Sequence, residues 1–229
     1  DQALKLVNIL LTLVTSLGSV MLPRVSNLLS KGNNEAVNRM HQISFLIYNL
    51  VIFPTIAGML IINNDFVKFF LGNDFQEARY AIAIMIFRMF FIGWTNIMGI
   101  QILIPHNKNK EFLTSTTVPA IVSVGLNLLL LPKFGYIGAA IVSVLTEVFV
   151  WGIQLYFTRK YLKDVPIYKS TVKIFLASIL MYFALSLLKT GMHFAPLVNV
   201  VICAVIGGIL YILQIFLFRV VSLKELKEQ

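Results

Sequence analysis

Charge is scarce in this sequence. Only 13% of its 229 residues are Asp, Glu, Lys or Arg, about half the share of a soluble domain. Acid is scarcer than base, ten against nineteen. A soluble fold of this size could not cover 58% hydrophobic residues with so little polar surface, whereas lipid can solvate them. There is one cysteine, Cys203, inside an apolar run. It excludes an internal disulfide and offers no metal cluster. The three histidines, His41, His106 and His193, lie far apart near the ends of apolar runs. Metal ligands must converge, so no metal site is expected. No G-x-S-x-G, P-loop, H-E-x-x-H or carboxylate cluster is present, so neither an enzyme nor a cofactor is expected. No basic segment precedes a short apolar run, so nothing resembles a signal peptide. The first residue is Asp1, which suggests a piece of a longer protein.

What is abundant is long apolar sequence. A helix crossing the bilayer core needs roughly 20 apolar residues. Seven runs qualify: Leu4 to Leu22 (ending at Pro23-Arg24), Ser44 to Ile62, Tyr80 to Ile104, Phe112 to Leu131, Ile137 to Phe157, Thr171 to Leu188, and Leu197 to Phe218. The expected fold is an all-α integral membrane protein of about seven transmembrane helices. Pro54, Pro119 and Gly207-Gly208 fall inside these runs, where membrane helices tolerate them as kinks or close contacts. The longest outward loop, Asn63 to Arg79, carries Phe66, Phe69, Phe70 and Phe75 and reads as an amphipathic interfacial piece.

The net charge of +9 would suggest nucleic acid in a soluble protein. Here the cations sit between apolar runs, and no nucleic acid is expected. One set of alternate loops holds Arg24, Lys31, Arg39, Lys108, Lys110, Arg159, Lys160, Lys163, Lys169, Lys173, Arg219, Lys224 and Lys227. The other holds Lys5, Lys68, Arg79, Lys133 and Lys189. Cytoplasmic loops are enriched in Lys and Arg, so the tail 219–229 is expected in the cytoplasm and the first helix begins outside. Such a start suits the second half of a longer chain. The basic loops also suit contact with anionic membrane lipids.

Two charges lie inside the runs. A charge near the bilayer centre costs roughly 2.5–3.5 kcal/mol on insertion scales, so it faces a cavity or a partner. Arg88 lies eight residues after Tyr80, about 12 Å down its helix, and Glu147 ten residues after Ile137, about 15 Å down its own. At matched depth they can neutralise each other. Arg88 can instead face a water-filled cavity and attract a pyrophosphate, which its forked donors suit, or snorkel toward an interface. Glu147 can serve as a proton or cation site, or as a structural hydrogen-bond acceptor. Asn49, Asn96, Gln101, Asn127 and Gln154 also fall in the runs, where amides act as interhelical glue more often than as ligands. Asn96 and Gln101 join Arg88 and Glu147 as candidate substrate-binding residues.

The stretch LNLLLLPKFGYIGAAIVSVLTE (Leu126 to Glu147) resembles a signature of the polysaccharide-repeat-unit flippases of the multidrug/oligosaccharidyl-lipid/polysaccharide exporter superfamily. Its positions are Asn127, Pro132, Phe134, Gly135, Gly138, Ala139, Ala140, Thr146 and Glu147. Pro132 and Gly135 are expected to turn the chain between two helices, and Gly138 to Ala140 to allow close packing. VMLPRVSNLLSKGN, with Pro23 and Arg24, resembles the end of that family's second C-terminal-lobe helix. FLGNDFQEA, with Gly72, resembles its outer loop, and GIQILIPHNKNKEF, with Pro105, its inner loop. The similarity spans most of Leu4 to Phe157.

The resemblance implies one lobe, the C-terminal one, of a two-lobe flippase, with family motifs on five helices in 1–157 and two further helices in 171–218. It implies transfer of an undecaprenyl-pyrophosphate-linked oligosaccharide (for O-antigen, capsule or exopolysaccharide) across the plasma membrane by alternating access. The implied partners are the lipid-linked oligosaccharide, the missing N-terminal lobe and other polysaccharide-assembly proteins. Related readings are a lipid II flippase, for which more cavity-lining cations would be expected, and a cation-coupled drug antiporter using Glu147. A polysaccharide polymerase would be expected to carry a large outward loop, and a helical scaffold a wholly apolar interior.

Overall fold

A computed structural model describes residues 2–192 and 194–220 of the chain. His193, Lys224, Lys227 and most of the expected cytoplasmic tail lie outside the described residues, as does the side chain of Lys5. Every described element is helical: α1 (Gln2–Ser30), α2 (Asn34–Phe70), a 3-10 turn (Asn73–Phe75), α3 (Ala78–Met85), α4 (Arg88–Asn96), a π-helical segment (Ile97–Leu103), α5 (Asn109–Leu162), α6 (Tyr168–Thr190) and α7 (Pro196–Leu217). Helices satisfy their backbone groups internally, which apolar surroundings demand. By length and composition five described helical spans can cross a membrane: Asn34–Phe70, Ala78–Leu103, Asn109–Leu162, Tyr168–Thr190 and Pro196–Leu217.

The longest of these is two spans. A straight helix of 54 residues would reach about 80 Å. Gly135 interrupts it with φ 54°, ψ −134°, a conformation open essentially to glycine alone. The two arms, 109–134 and 136–162, turn back on each other, so the Gln154 amide reaches the Ser115 hydroxyl at 3.1 Å. They are the fourth and fifth apolar runs of the sequence. Pro132, expected to share the turn, stays within helix; Gly135 alone leaves helical geometry. A Cβ on Gly138 would come within 2.6 Å of the Leu130 carbonyl oxygen, so the arms meet there without room for a side chain.

Three boundaries differ from the sequence reading. The first helix does not end at Pro23-Arg24 but continues to Ser30. Proline removes one backbone donor, and burial of Val25 at 0% exposure anchors the following turn. Segment 63–79, expected as an outward loop, is not mainly loop. α2 continues to Phe70, held by buried Val67 and Asp65, so the segment outside it is short. The third run is not one regular helix. It tightens before Arg88, where Phe87 N–H bonds the Ile84 carbonyl and Met89 N–H the Ile86 carbonyl, and it widens after Asn96 into the π segment.

The chain forms two compact units, residues 1–48 with 80–166 and residues 49–79 with 167–229. The first has a core of Phe45, Ile82, Met89, Met98 and Ile102. The second packs Ile52 and Val67 of α2 with Ile174, Met181 and Leu185 of α6 and Cys203 of α7. In that unit the opposite faces of α6 and α7 leave Leu180, Phe183, Leu187, Ile209, Leu213 and Phe216 exposed, as helices solvated by lipid would.

Candidate functional site

Arg88 opens α4, just past the tight turn that ends α3. Its Nη2 donates to Glu147 Oε1 on the second arm of α5 at 3.0 Å, and the two side chains are only 16% and 19% exposed. The two charges inside the apolar runs therefore meet. Arg88 Nε is buried with no partner, so the guanidinium keeps donor capacity beyond its carboxylate. A turn further along both helices lies an aromatic cluster. Trp94 and Trp151 approach to 6.4 Å between ring centroids, Phe90 and Trp94 to 5.2 Å, and Phe91 and Trp151 to 5.9 Å. Trp151 follows Glu147 by four residues, on the same helix face. Its indole N–H is buried without a partner.

Asn96 and Gln101 do not join that pair through any hydrogen bond among the described residues; both face α2. The Tyr48 hydroxyl donates to Asn96 Oδ1 at 2.7 Å. The Ser44 hydroxyl donates to Gln101 Oε1 at 2.7 Å. His41 Nε2 lies 3.2 Å from the Gln101 backbone carbonyl. A carbonyl only accepts, so this nitrogen carries the proton. The π segment supplies the geometry. Its wider turns include Ile104 N–H bonding the Gly99 carbonyl. Pro105, four residues after Gln101, has no N–H, and His106 N–H bonds the Ile102 carbonyl, which leaves the Gln101 carbonyl free to face His41. Single turns of π-helix recur at functional sites. Gln101 Nε2 is buried and unpartnered.

The other polar positions divide similarly. Asn49 donates to the Thr171 hydroxyl at 2.9 Å, joining α2 to α6. Among the described residues Asn127 bonds the Ser123 carbonyl of its own helix, at 2.9 Å. Of the family-motif residues, Pro23 and Arg24 are exposed on α1. Gly72 has φ 85° and Pro105 lies in the turn leading to Asn107.

Sequence reasoning missed a second ion pair, in the other unit. Lys189 Nζ at the end of α6 lies 2.9 Å from Asp65 Oδ2 and also donates to the Ile61 carbonyl. Asn199 of α7 reaches Asp65 Oδ1 at 3.4 Å. Both charges stood in segments read as loop. The available signal was helical spacing: Ile61, Asp65 and Phe69 share one face of a helix that does not stop at Ile62. The polar stripe His41, Ser44 and Tyr48 was legible in the same way, at i, i+3 and i+7.

An ion pair and amide networks inside apolar helices mark a multi-span helical membrane protein with a candidate functional site in its interior. Comparison with known proteins narrows the class. Residues 6–225 match the family described as lipid II flippase MurJ, and the chain belongs to that family. It is 26% identical over its full length to an uncharacterized membrane protein of Methanocaldococcus jannaschii, covering 45% of it. It is 28% identical to a putative O-antigen transporter of Escherichia coli, over 66% of the chain and 36% of the relative. To a probable low-salt glycan biosynthesis flippase of Haloferax volcanii it is 21% identical, over 57% of the chain and 28% of the relative. The fold matches a solved lipid II flippase MurJ in an inward closed conformation with TM-score 0.81 at 18% identity, over 94% of this chain and 45% of that one. The chain thus spans less than half the length of the relatives it matches.

Proposed function

We propose that the protein forms the C-terminal lobe of a flippase that carries an undecaprenyl-pyrophosphate-linked oligosaccharide across the plasma membrane by alternating access, with its C-terminus cytoplasmic. The observation that carries this reading is the family match over residues 6–225. The names of the O-antigen and glycan-flippase relatives support the cargo class. The protein is a transporter rather than an enzyme: it binds and releases its cargo without making or breaking a bond.

Arg88 is the cargo-binding cation. Its Nε is unpaired and Glu147 takes one Nη2 bond, so a pyrophosphate can compete for the guanidinium with two charge-assisted bonds against one. Glu147 holds the charge neutral between cargoes. Asn96 and Gln101 supply amides to sugar hydroxyls once the π segment rearranges. A second reading, in which the cargo is lipid II, is favoured by the description of the matching family.

The test uses the full-length gene in cells lacking their own repeat-unit flippase, and in cells depleted of their lipid II flippase. Intact protein and Arg88→Gln are expressed at equal membrane levels. Restored surface polymer, with repeat units trapped in the Arg88→Gln cells, supports the first reading. Rescue only of the lipid II-depleted cells replaces it with the second. Rescue of neither rejects both and turns attention to cation-coupled efflux.

A further inference from the structure

The hairpin of α5 has a consequence at its open end. Folding at Gly135 brings the start of the first arm beside the end of the second. Between them lies a cavity of about 270 Å³, lined among others by Lys108, Glu111, Tyr156, Arg159, Lys160 and Tyr161. A water takes about 30 Å³, so there is room for a phosphate or pyrophosphate with part of its hydration. Three cations stand against one carboxylate. Lys108 Nζ is 3.1 Å from Glu111 Oε1; Arg159 and Lys160 form no salt bridge among the described residues, although Lys160 also acts on Glu111 through space. Both are laid over aromatic rings instead. The Arg159 guanidinium sits 4.6 Å from the Tyr156 ring centroid, and Lys160 Nζ 4.8 Å from that of Tyr161. The Tyr161 ring is held in turn by His106, at 4.1 Å between centroids. The first turn of α5 starts at the same place with no side-chain cap. The Glu111 carboxylate accepts from its own backbone N–H there, and the remaining leading amides and the positive end of the dipole add to the field.

We infer that this cavity binds the phosphate group of a membrane lipid, either an anionic phospholipid headgroup or a prenyl pyrophosphate. A general basic loop needs no cavity; here exposed cations line one that opens at the ends of the two arms. Arg159 supplies the fork that grips two phosphate oxygens, and Lys160 and Lys108 supply point charges. Tyr156 and Tyr161 hold the cations in place and offer hydroxyls at the water–lipid boundary.

The test is native mass spectrometry of the delipidated full-length protein with three probes: phosphatidylglycerol, undecaprenyl pyrophosphate and phosphatidylcholine. Arg159→Gln with Lys160→Gln is compared with Lys163→Gln with Lys169→Gln, which removes equal charge from the same basic segment outside the cavity. The first pair is expected to lower phosphate-lipid occupancy roughly tenfold and the second by less than about twofold. Glu111→Gln removes the lining carboxylate and is expected to raise occupancy about threefold, a gain that misfolding would not give. Binding of phosphatidylglycerol, of the prenyl pyrophosphate or of both supports the site and identifies its source. Equal losses in the two pairs, no gain with Glu111→Gln, or equal binding of phosphatidylcholine would overturn it. Occupancy is read without transport, so its failure is distinct from failure of the flippase reading.

Discussion

The two units treat buried polarity differently. In residues 1–48 with 80–166, polar groups occur along helices that are themselves irregular: the tight turn before Arg88, the π segment around Gln101 and the bend at Gly135. In residues 49–79 with 167–229, α6 and α7 carry no such break, and the ion pair sits at the end of α6 with its amide ligand near the start of α7. Irregular backbone within an apolar helix is tolerated where side chains or cavities satisfy it. Mid-helix irregularities of this kind often mark hinges. The contrast predicts that conformational change falls in the first unit while the second holds its shape.

The strongest way to break this contrast is at Arg88. Arg88→Gln leaves Glu147 half-buried and unpaired, and is expected to lower stability by about 2 kcal/mol and transport by more than tenfold. The double variant Arg88→Gln/Glu147→Gln separates the two effects. Melting in detergent is expected to recover most of the stability. Transport is expected to stay lost, because a neutral amide pair cannot hold a pyrophosphate. Recovery of both would make the pair structural and the first unit no more functional than the second.

Lys189→Met is the corresponding break in the second unit. It strands Asp65, which is 8% exposed, and is expected to cost about 2 kcal/mol. Here the double variant Asp65→Asn/Lys189→Met is expected to recover stability and transport together. Persistent loss of transport at normal melting temperature would show that the second unit does more than hold.

Gly135→Ala is expected to cost about 1–3 kcal/mol, because φ 54° with ψ −134° strains any residue with a Cβ. The readout is the melting temperature in detergent, with Gly125→Ala as a control inside regular helix. An equal shift in both would mean that the bend is not held at Gly135.

How much of this was legible in the sequence depends on what kind of feature it was. The apolar runs were legible because length and hydropathy state them directly. The Arg88–Glu147 pair was legible as a possibility, since both residues stood at the same depth in different helices. Gly135 was visible as a turn residue, although Pro132 beside it carried an equal sequence signal and remained helical. The π segment was not legible. Ile97 to Leu103 reads as ordinary helix, and its apolar pattern carries no mark of the wider turn. Asp65 and Lys189 were hidden by a boundary error: a charge ends an apolar run in a hydropathy reading, but a helix ends only when its backbone does. The cavity at the α5 ends was hidden differently. Lys108 and Arg159 are about fifty residues apart, and only the bend brings them together.

The smallest expected effect sharpens the contrast most finely. Tyr48 donates to Asn96 in the first unit at 2.7 Å, and Tyr211 donates to the Leu50 carbonyl in the second at 3.0 Å. Each replacement by Phe removes one hydroxyl and keeps the ring, and hydrogen bonds between membrane helices average about 0.6 kcal/mol. Both variants should therefore melt within a degree or two of the parent. They should differ in what the lost bond released. Asn96 ends α4 next to the π segment, so Tyr48→Phe frees an amide at a place where the backbone can shift. Amide hydrogen exchange over 97–103 is expected to quicken several-fold. Leu50 precedes Pro54, which has no N–H to give its carbonyl, so Tyr211→Phe removes that carbonyl's side-chain donor without touching the bond of any helical N–H. Exchange over α2 around Leu50 is expected to stay within about twofold of the parent. Equal protection of 97–103 in parent and Tyr48→Phe would mean that the π segment is as fixed as the helices of the second unit, and the division into a changing unit and a holding unit would lose its physical basis.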